Sequence, residues 1–203
     1  MTKRIVTIIG HPDPASERDA RALADTYGRG AGDGGHTVQV VDIATLDFPL
    51  LRSQVEWKST PLPASLDVAH CALLWARHIV IIYPLWLGDV PARLKAFLEQ
   101  MLRPGDALSL DAKPFSVKLF SGKSARVMVT MGMPAWLYRW GFGAHSLKSL
   151  KRNILWFVGI GPTSDTVIGA IKAKDSSVRR QWLERMRARS SGALAPYCCR
   201  EWA

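Results

Sequence analysis

The chain has 203 residues, 48% of them hydrophobic and 22% charged, with a net charge of +10. This length fits one globular domain with its own core. No stretch approaches the roughly 18 uninterrupted apolar residues that a membrane span needs. The first residues run directly into a strand-like segment without the apolar region of a signal peptide, so we expect a cytoplasmic protein.

The three cysteines are Cys71, Cys198 and Cys199, and they lack metal-ligand spacing. An odd number of cysteines in a cytosolic protein favours free thiols over a disulfide framework, and we predict no metal site. Cys71 falls in an apolar helical stretch, which predicts a core position. The sequence leaves a redox role for the adjacent pair near the C-terminus open.

The excess of basic residues invites a nucleic-acid interpretation. These residues concentrate in two predicted helices, residues 145–158 and 176–189, and no nucleic-acid-binding motif accompanies them. We therefore interpret them as solvated helix faces and expect no nucleic-acid partner. An attraction for phosphorylated cofactors or for an anionic surface is the alternative.

Apolar runs and helical segments alternate five times along the chain. This alternation is typical of right-handed βαβ units around a parallel sheet. Of the two longer connections, residues 47–63 are interpreted as an irregular surface loop, and residues 103–122 as a segment covering a site or a partner. The predicted strands are residues 3–10, 36–43, 78–84, 123–131 and 163–171, and the predicted helices are residues 18–27, 64–75, 91–102, 145–158 and 176–189.

A glycine-rich run at residues 28–35 suggests a dinucleotide-binding loop. Such a loop must follow a strand and open a helix, so that its amides and the helix start face a pyrophosphate. This run instead closes a helix before a strand, and we interpret it as a flexible turn. The turn that does follow the first strand, residues 10–16, lacks the glycine pattern, which disfavours a plain Rossmann dehydrogenase.

Ligands of doubly wound sheets bind beyond the carboxyl ends of the strands, where the strand order reverses. After the first strand, Ser16 can cap a helix whose free amides suit a phosphate, and Arg18 adds a charge. After the third strand, a proline-bounded loop at residues 84–91 carries Trp86, which can form a wall for a flat heterocycle. After the fourth strand, residues 130–145 hold a run of aromatic residues that needs a ligand or a subunit to cover it.

Together these loops resemble the flavodoxin-like NAD(P)H:quinone oxidoreductases, a family that includes ancillary subunits of potassium efflux systems. The most specific match is the PLWLG sequence at 84–88 with VPA at 90–92 and LK at 94–95, continuing to RPG at 103–105. The resemblance covers essentially the whole chain. It implies one flavin-binding domain over residues 1–203, a three-layer α/β sandwich whose five-stranded parallel sheet has the order 2-1-3-4-5, with helices on both faces.

The resemblance also implies roles for individual residues. Those near the flavin phosphate and ribityl chain would be His11, Ser16 and Arg18. Those that grip the isoalloxazine, largely through backbone groups, would be Leu85, Trp86, Leu87, Gly88, Thr130, Met131, Gly132 and Met133. Tyr138 and His145 resemble the tyrosine and histidine that face the substrate.

This chain departs from the family pattern at several positions. Glu17 and Arg18 replace the usual Phe-Asn pair, and Met131 and Met133 replace the usual threonine and glycine. Asp106 stands where an aromatic residue is frequent. Tyr138 and His145 are one residue further apart than the resemblance leads us to expect. These differences leave flavin binding as the expectation and weaken the substrate assignment.

We therefore expect an enzyme that takes hydride from NAD(P)H onto a bound flavin and passes it to a quinone-like acceptor in a ping-pong order. FMN is the expected cofactor, because no extra pocket for an adenine is evident, and FAD is the alternative. We also expect a homodimer, since residues 136–142 and 103–122 would otherwise expose apolar surface.

A different class of function is also open. The chain would then be a flavin- or nucleotide-binding regulatory subunit of a membrane transporter, with incidental reductase activity and a peripheral contact to that membrane protein through its basic helices. A one-electron flavodoxin carrier is disfavoured, because such carriers are typically acidic.

Overall fold

A computed structural model describes residues 2–15, 20–104 and 120–169, together with residues 184, 187 and 190. Five strands pair in parallel in the order β2-β1-β3-β4-β5. This arrangement confirms the predicted flavodoxin-like sheet. The strands are β1 (Arg4–Ile9), β2 (Thr37–Asp42), β3 (His78–Pro84), β4 (Ser124–Thr130) and β5 (Thr163–Ile168).

Helices cover both faces of the sheet. The α-helices are α1 (Ala20–Asp33), α2 (Gln54–Ser59), α3 (Asp67–Trp75), α4 (Ala92–Met101) and α5 (His145–Ser149). Short 3-10 turns span Ile43–Thr45 and Ala64–Leu66, and π-helical turns span Leu137–Gly141 and Leu150–Leu155. No helix in the described ranges has both the length and the apolar character needed to cross a membrane.

The core consists of two apolar clusters, one on each side of the sheet. Ile79 and Ile81 belong to the cluster with α3, α4 and α5, whereas Val80 and Ile82 belong to the cluster with α1. Successive residues of a strand point to opposite faces, so an apolar run without alternation indicates burial on both. The continuous run of β3 therefore identified the centre of the sheet.

The glycine-rich run at residues 28–35 is not the predicted flexible turn. Helix α1 continues through it to Asp33. A Cβ atom on Gly30 would lie 2.0 Å from Ser190 Oγ and 2.5 Å from the Arg187 carbonyl oxygen, and the Arg187 guanidinium pairs with Asp33 at 2.8 Å. The absence of a side chain at Gly30 thus lets a later part of the chain pack closely against α1, and this tertiary contact outweighs the low helix propensity of glycine.

The predicted irregular loop at residues 47–63 contains helix α2. Ser53 Oγ accepts a hydrogen bond from the Glu56 amide at 3.1 Å, and the Glu56 carboxylate accepts one from the Arg52 amide at 2.8 Å. This reciprocal arrangement resembles a capping box, which satisfies amides at a helix start that lack intrahelical partners.

Cys71 is exposed on α3, so the prediction of a core position was wrong. The inward face of this helix is formed by Ala69, Ala72 and Leu73. Val68 and Leu74 are apolar but also exposed, which is why hydrophobicity alone did not indicate the buried face. Cys198 and Cys199 lie outside the described residues, as does most of the predicted helix at 176–189.

His78 opens β3 at the edge of the sheet opposite the strand ends that matter for ligand binding. Its side chain is buried, and its Nδ1 atom lies 2.8 Å from Ser124 Oγ. Burial lowers the pKa of His78 to about 4, and the positive charge of Arg126, followed by Lys3 and His36, adds to this effect. The imidazole is therefore neutral at pH 7.

Because His78 is buried in its neutral form, we expect the protein to lose stability in acid. An unfolded histidine has a pKa of 6.5, so the unfolded chain takes up the proton first as the pH falls. The stability that neutral His78 contributes is complete above pH ~7 and is lost between pH 6.5 and the folded value of about 4. We expect this residue to lower the free energy of unfolding by about 2 kcal/mol at pH 5 relative to pH 7.

Urea unfolding at pH 7 and pH 5 checks this expectation. In His78→Asn, the difference in unfolding free energy between the two pH values should shrink by about 2 kcal/mol. His145→Gln, which changes an exposed histidine, should keep the pH dependence of the parent protein. Identical pH dependence in the parent and His78→Asn would contradict the assignment.

Candidate functional site

The loops that follow β1, β3 and β4 begin side by side at one edge of the sheet. The Gly10 amide donates to the Ile82 carbonyl at 2.7 Å, the Leu85 amide to the Thr130 carbonyl at 2.8 Å, and the Met131 amide to the Ile168 carbonyl at 3.0 Å. Interstrand pairing thus continues into each loop. Since β2 lies beyond β1 and β4 lies beyond β3, the strand order reverses here, and a ligand crevice is expected at this point.

The loop after β3 makes a tight turn at this edge. Trp86 and Asp89 exchange two backbone hydrogen bonds, of 3.0 and 2.9 Å. Between them, Leu87 has φ +46° and Gly88 has φ +79°, the signs that a type I′ turn requires. Glycine adopts this conformation readily, whereas leucine does so at a cost of about 1–2 kcal/mol. The strained Leu87 side chain is fully exposed, and strain of this kind concentrates at functional sites.

The loop after β1 and the loop after β3 contact each other through aromatic rings. The centroids of His11 and Trp86 are 5.6 Å apart with an interplanar angle of 81°, an edge-on arrangement. Nearly half of the Trp86 surface remains exposed. His11 and the 84–88 segment, which the sequence placed at one site, are therefore adjacent. Ser16 and Arg18 lie outside the described residues, so their predicted roles stay predictions.

The loop after β4 is held against the end of β5. A Cβ atom on Gly169 would lie 2.4 Å from the Ala135 amide nitrogen and 2.7 Å from the Met133 carbonyl oxygen, so only glycine permits this approach. On the outer side of the same loop, Gly132 is exposed, and a Cβ atom there would meet no atom of the described residues within 4 Å. At Gly132 the backbone of this loop is therefore exposed, without a side chain over it, at the edge of the sheet.

The remaining predicted flavin-loop side chains point inward. Thr130 and Met131 are buried, and Leu85 and Met133 pack against the core. The Thr130 hydroxyl donates to the Tyr83 carbonyl at 3.5 Å, a long bond within the sheet. These residues therefore offer backbone groups to the edge, in keeping with the backbone grip that the resemblance implied.

Tyr138 and His145 are presented differently from one another. Tyr138 is buried, and its hydroxyl lies 2.7 Å from Ser146 Oγ and accepts a hydrogen bond from the Leu147 amide at 3.2 Å. His145 is exposed at the start of α5, where a Cβ atom on Gly143 would lie 3.0 Å from its Nε2 atom. The Tyr138 hydroxyl is thus enclosed by the protein, whereas the His145 side chain is exposed. That these two residues face a substrate stays a prediction.

Tyr138 lies in the π-helical turn at Leu137–Gly141. The Phe142 amide donates to the Leu137 carbonyl at 3.1 Å, a bond between residues five positions apart. Such a turn holds one residue more than an α-helical turn. The extra residue between Tyr138 and His145, noted in the sequence, is accommodated here.

Two further features surround the edge. Trp136, Trp140 and Phe142 are each more than half exposed, and we call them the aromatic patch. Tyr83 is fully buried beneath the loops, and burial, then the neighbouring Tyr138, raises the pKa of its phenol above its usual range. Tyr83 therefore stays a neutral group in the floor of the site.

A cavity of about 570 Å³ lies elsewhere, along α2, α4 and residues 153–158. None of the residues that line it belongs to the three strand-end loops. Its apolar walls are formed by Trp57, Leu98, Leu102, Ile154, Phe157 and Val158. The predicted site residues therefore gather at the edge of the sheet and not in this cavity.

Sequence reasoning missed Gly169, which packs beside the candidate site, because the predicted strand at 163–171 contained it, whereas β5 ends at Ile168. Gly169→Ala should lower the free energy of unfolding by about 1–3 kcal/mol, because the added methyl group must push the Met133–Ala135 backbone away. Gly132→Ala, three residues from Ala135, is the matched control and should leave the ligand-free protein unchanged. Chemical unfolding of both variants measures this, and equal stabilities would contradict the close packing.

Comparison with known proteins agrees with this architecture. A Haemophilus influenzae protein named as an uncharacterized NAD(P)H oxidoreductase is 25% identical over 181 residues, which cover 87% of this chain and 89% of the relative. The structure of an NAD(P)H:quinone oxidoreductase from Methanothermobacter marburgensis superposes with a TM-score of 0.76 at 22% identity, covering 95% and 98% of the two chains.

An FMN-dependent NADH-azoreductase from Bacillus anthracis, solved in complex with FMN, gives a TM-score of 0.69 at 16% identity, covering 95% of this chain and 99% of the other. At these identities the solved structures establish the fold. The sequence profile of a family described by its flavodoxin-like fold matches residues 3–189, and the chain belongs to that family.

Proposed function

We propose that the chain is a flavin-dependent NAD(P)H oxidoreductase that delivers hydride to quinone-like acceptors. The observation that carries the proposal is the edge where the β1, β3 and β4 loops meet, with a strained exposed turn and bare backbone facing outward. The names of the relatives support it: an NAD(P)H oxidoreductase, an NAD(P)H:quinone oxidoreductase and an FMN-dependent NADH-azoreductase. No observation on the described residues favours the alternative of a transporter's regulatory subunit.

The edge fits a flat heterocycle. No atom in the described part of the chain occupies the space where side chains would stand at Gly88 and Gly132, so the backbone of two loops can approach a ring closely. The half-exposed Trp86 forms an apolar wall beside them. In this proposal residues 85–88 and 130–133 hold the isoalloxazine of FMN, and His11 lies toward its ribityl phosphate with Ser16 and Arg18. FAD is the alternative cofactor.

The protein's own residues supply position and electrostatics. When bound, the flavin provides two-electron chemistry, taking hydride from the nicotinamide and giving it to the acceptor. Trp86 and Leu87, which are exposed beside Gly88, would cover part of the bound ring against water. NAD(P)H and the acceptor would bind in turn at the same place beside these loops, which corresponds to a ping-pong order.

His145 is the proposed donor to the acceptor. As hydride reaches a quinone, one of its oxygens gains negative charge, and a positioned hydrogen-bond donor stabilises that charge or supplies a proton. His145 is exposed at the start of α5, at the end of the loop that carries Gly132. The buried Tyr138 hydroxyl does not have this access.

Flavin binding is the first test of the proposal. The purified protein with added FMN should show the absorption bands of bound flavin, and its melting temperature should rise with FMN concentration as mass action requires. Gly132→Ala should weaken FMN binding at least tenfold, about 1.4 kcal/mol, because its methyl group occupies the space left for the ring.

Gly32→Ala is the control, since Gly32 lies in α1 with none of the described atoms within 4 Å of its Cβ position, and it should leave FMN affinity unchanged. The loaded protein alone should then reduce benzoquinone with NADH or NADPH. Failure of both FMN and FAD to bind at saturating concentrations would end the proposal.

The aromatic patch leads us to propose a homodimer, because three large apolar side chains exposed together favour a protein partner. Light scattering at micromolar concentration should give the mass of two chains. Trp140→Glu should shift the protein toward monomers, since a carboxylate is costly to bury in an apolar interface. Val68→Glu, at an equally exposed position on α3, should not. A monomeric parent protein would disprove the dimer without touching flavin binding.

A further inference from the structure

The start of α5 lacks a side-chain cap of its own. Gly143 and Ala144 precede it with φ values of +60° and +48°, and Ala144, at the capping position, has no side chain that accepts a hydrogen bond. The first amides of a helix have no intrahelical partners. Two successive residues in the left-handed region, with no cap after them, leave the direction of the helix start weakly fixed by local sequence.

The Tyr138 hydroxyl supplies the missing acceptor. It accepts from the amide of Leu147 at 3.2 Å, and Leu147 is the third residue of α5, the position whose amide a capping side chain ordinarily binds. The backbone of the same residue contributes as well, since the Tyr138 carbonyl accepts from the Ala144 amide at 3.0 Å. Both ends of Tyr138 therefore hold the turn that leads into α5.

This contact also fixes the neighbouring Ser146, whose Oγ atom lies 2.7 Å from the Tyr138 hydroxyl. The two sequence neighbours of His145, Ala144 and Ser146, are thus both hydrogen-bonded to Tyr138. Its own side chain is exposed and folds back over Gly143. The Tyr138 hydroxyl is buried and contacts Ser146 and Leu147, so this residue shapes the site from inside the fold.

We propose that Tyr138 is a positioning residue that replaces the missing cap of α5 and thereby holds His145 toward the acceptor. This inference rests on the proposed function only for the role of His145. The capping itself is a property of the protein without any ligand.

Amide hydrogen exchange tests the capping in flavin-free protein. In Tyr138→Phe the ring remains and the acceptor is lost, so exchange of the Leu147 amide should become about tenfold faster. Tyr27→Phe is the matched control: Tyr27 is equally buried, on the opposite face of the sheet, and its hydroxyl has no hydrogen-bond partner among the described residues. It should leave Leu147 exchange unchanged. Unchanged exchange in Tyr138→Phe would overturn the inference.

A double-mutant cycle on flavin reoxidation by benzoquinone tests the consequence for His145. Tyr138→Phe should slow this half-reaction about tenfold in the parent, yet add less than twofold in the His145→Gln background, because groups that act through one another do not contribute additively. The reductive half-reaction with NAD(P)H should stay within twofold throughout.

The outcomes are distinct. Losses that multiply in the double variant would make Tyr138 a donor in its own right and overturn the positioning role. Reoxidation unaffected by His145→Gln would overturn it too, by removing the residue it positions. If the protein bound no flavin, the proposed function would fall, while Leu147 exchange would still decide whether Tyr138 caps α5.

Discussion

The pairing of β1 with β3 determines where this chain can bind a ligand. Because these two strands are neighbours while β2 and β4 lie outside them, the loops that leave them turn to opposite faces of the sheet and open a crevice between. The packing is tight where the loops after β1 and β3 diverge. A Cβ atom on Gly10 would lie 2.7 Å from Leu94 Cδ2 and 3.0 Å from Tyr83 Cβ, so a side chain there would separate the two loops.

The fold was predictable because its signals are local and redundant. Continuous apolar runs such as β3 are buried on both faces, and each is followed by a helical segment. The errors arose where tertiary contacts decide local structure. Gly30 is helical because another part of the chain packs against it. Cys71 is exposed because of the side of α3 on which it falls, and apolar residues on both sides of that short helix hide which side is buried. Helix α2 is a different case, since the Ser53–Glu56 pair is a capping pattern that the sequence itself shows.

The candidate site was predictable in position and less so in orientation. Strand ends place His11, Trp86 and Gly132 at one edge, since parallel strands all end on the same side. The direction of Tyr138 could not be predicted, because it depends on a π-helical turn, and no residue type marks a hydrogen bond between positions five apart. The role of Gly169 depends on which loop packs against the end of β5, a fact of the tertiary structure.

Part of the net charge of +10 comes from cations that have a structural role. The buried Lys123 ammonium lies 3.1 and 2.7 Å from the carbonyl oxygens of Leu73 and Leu74, at the end of α3, where helix carbonyls lack partners and favour a cation. Arg93 donates to the Ile43 and Leu46 carbonyls and lies over the Phe48 ring. Cations that bind backbone carbonyls raise the net charge without a balancing carboxylate. Arg93 belongs to the first turn of α4, directly after the Trp86–Asp89 turn, so its positive charge ties the helix behind the candidate site to the segment that follows β2.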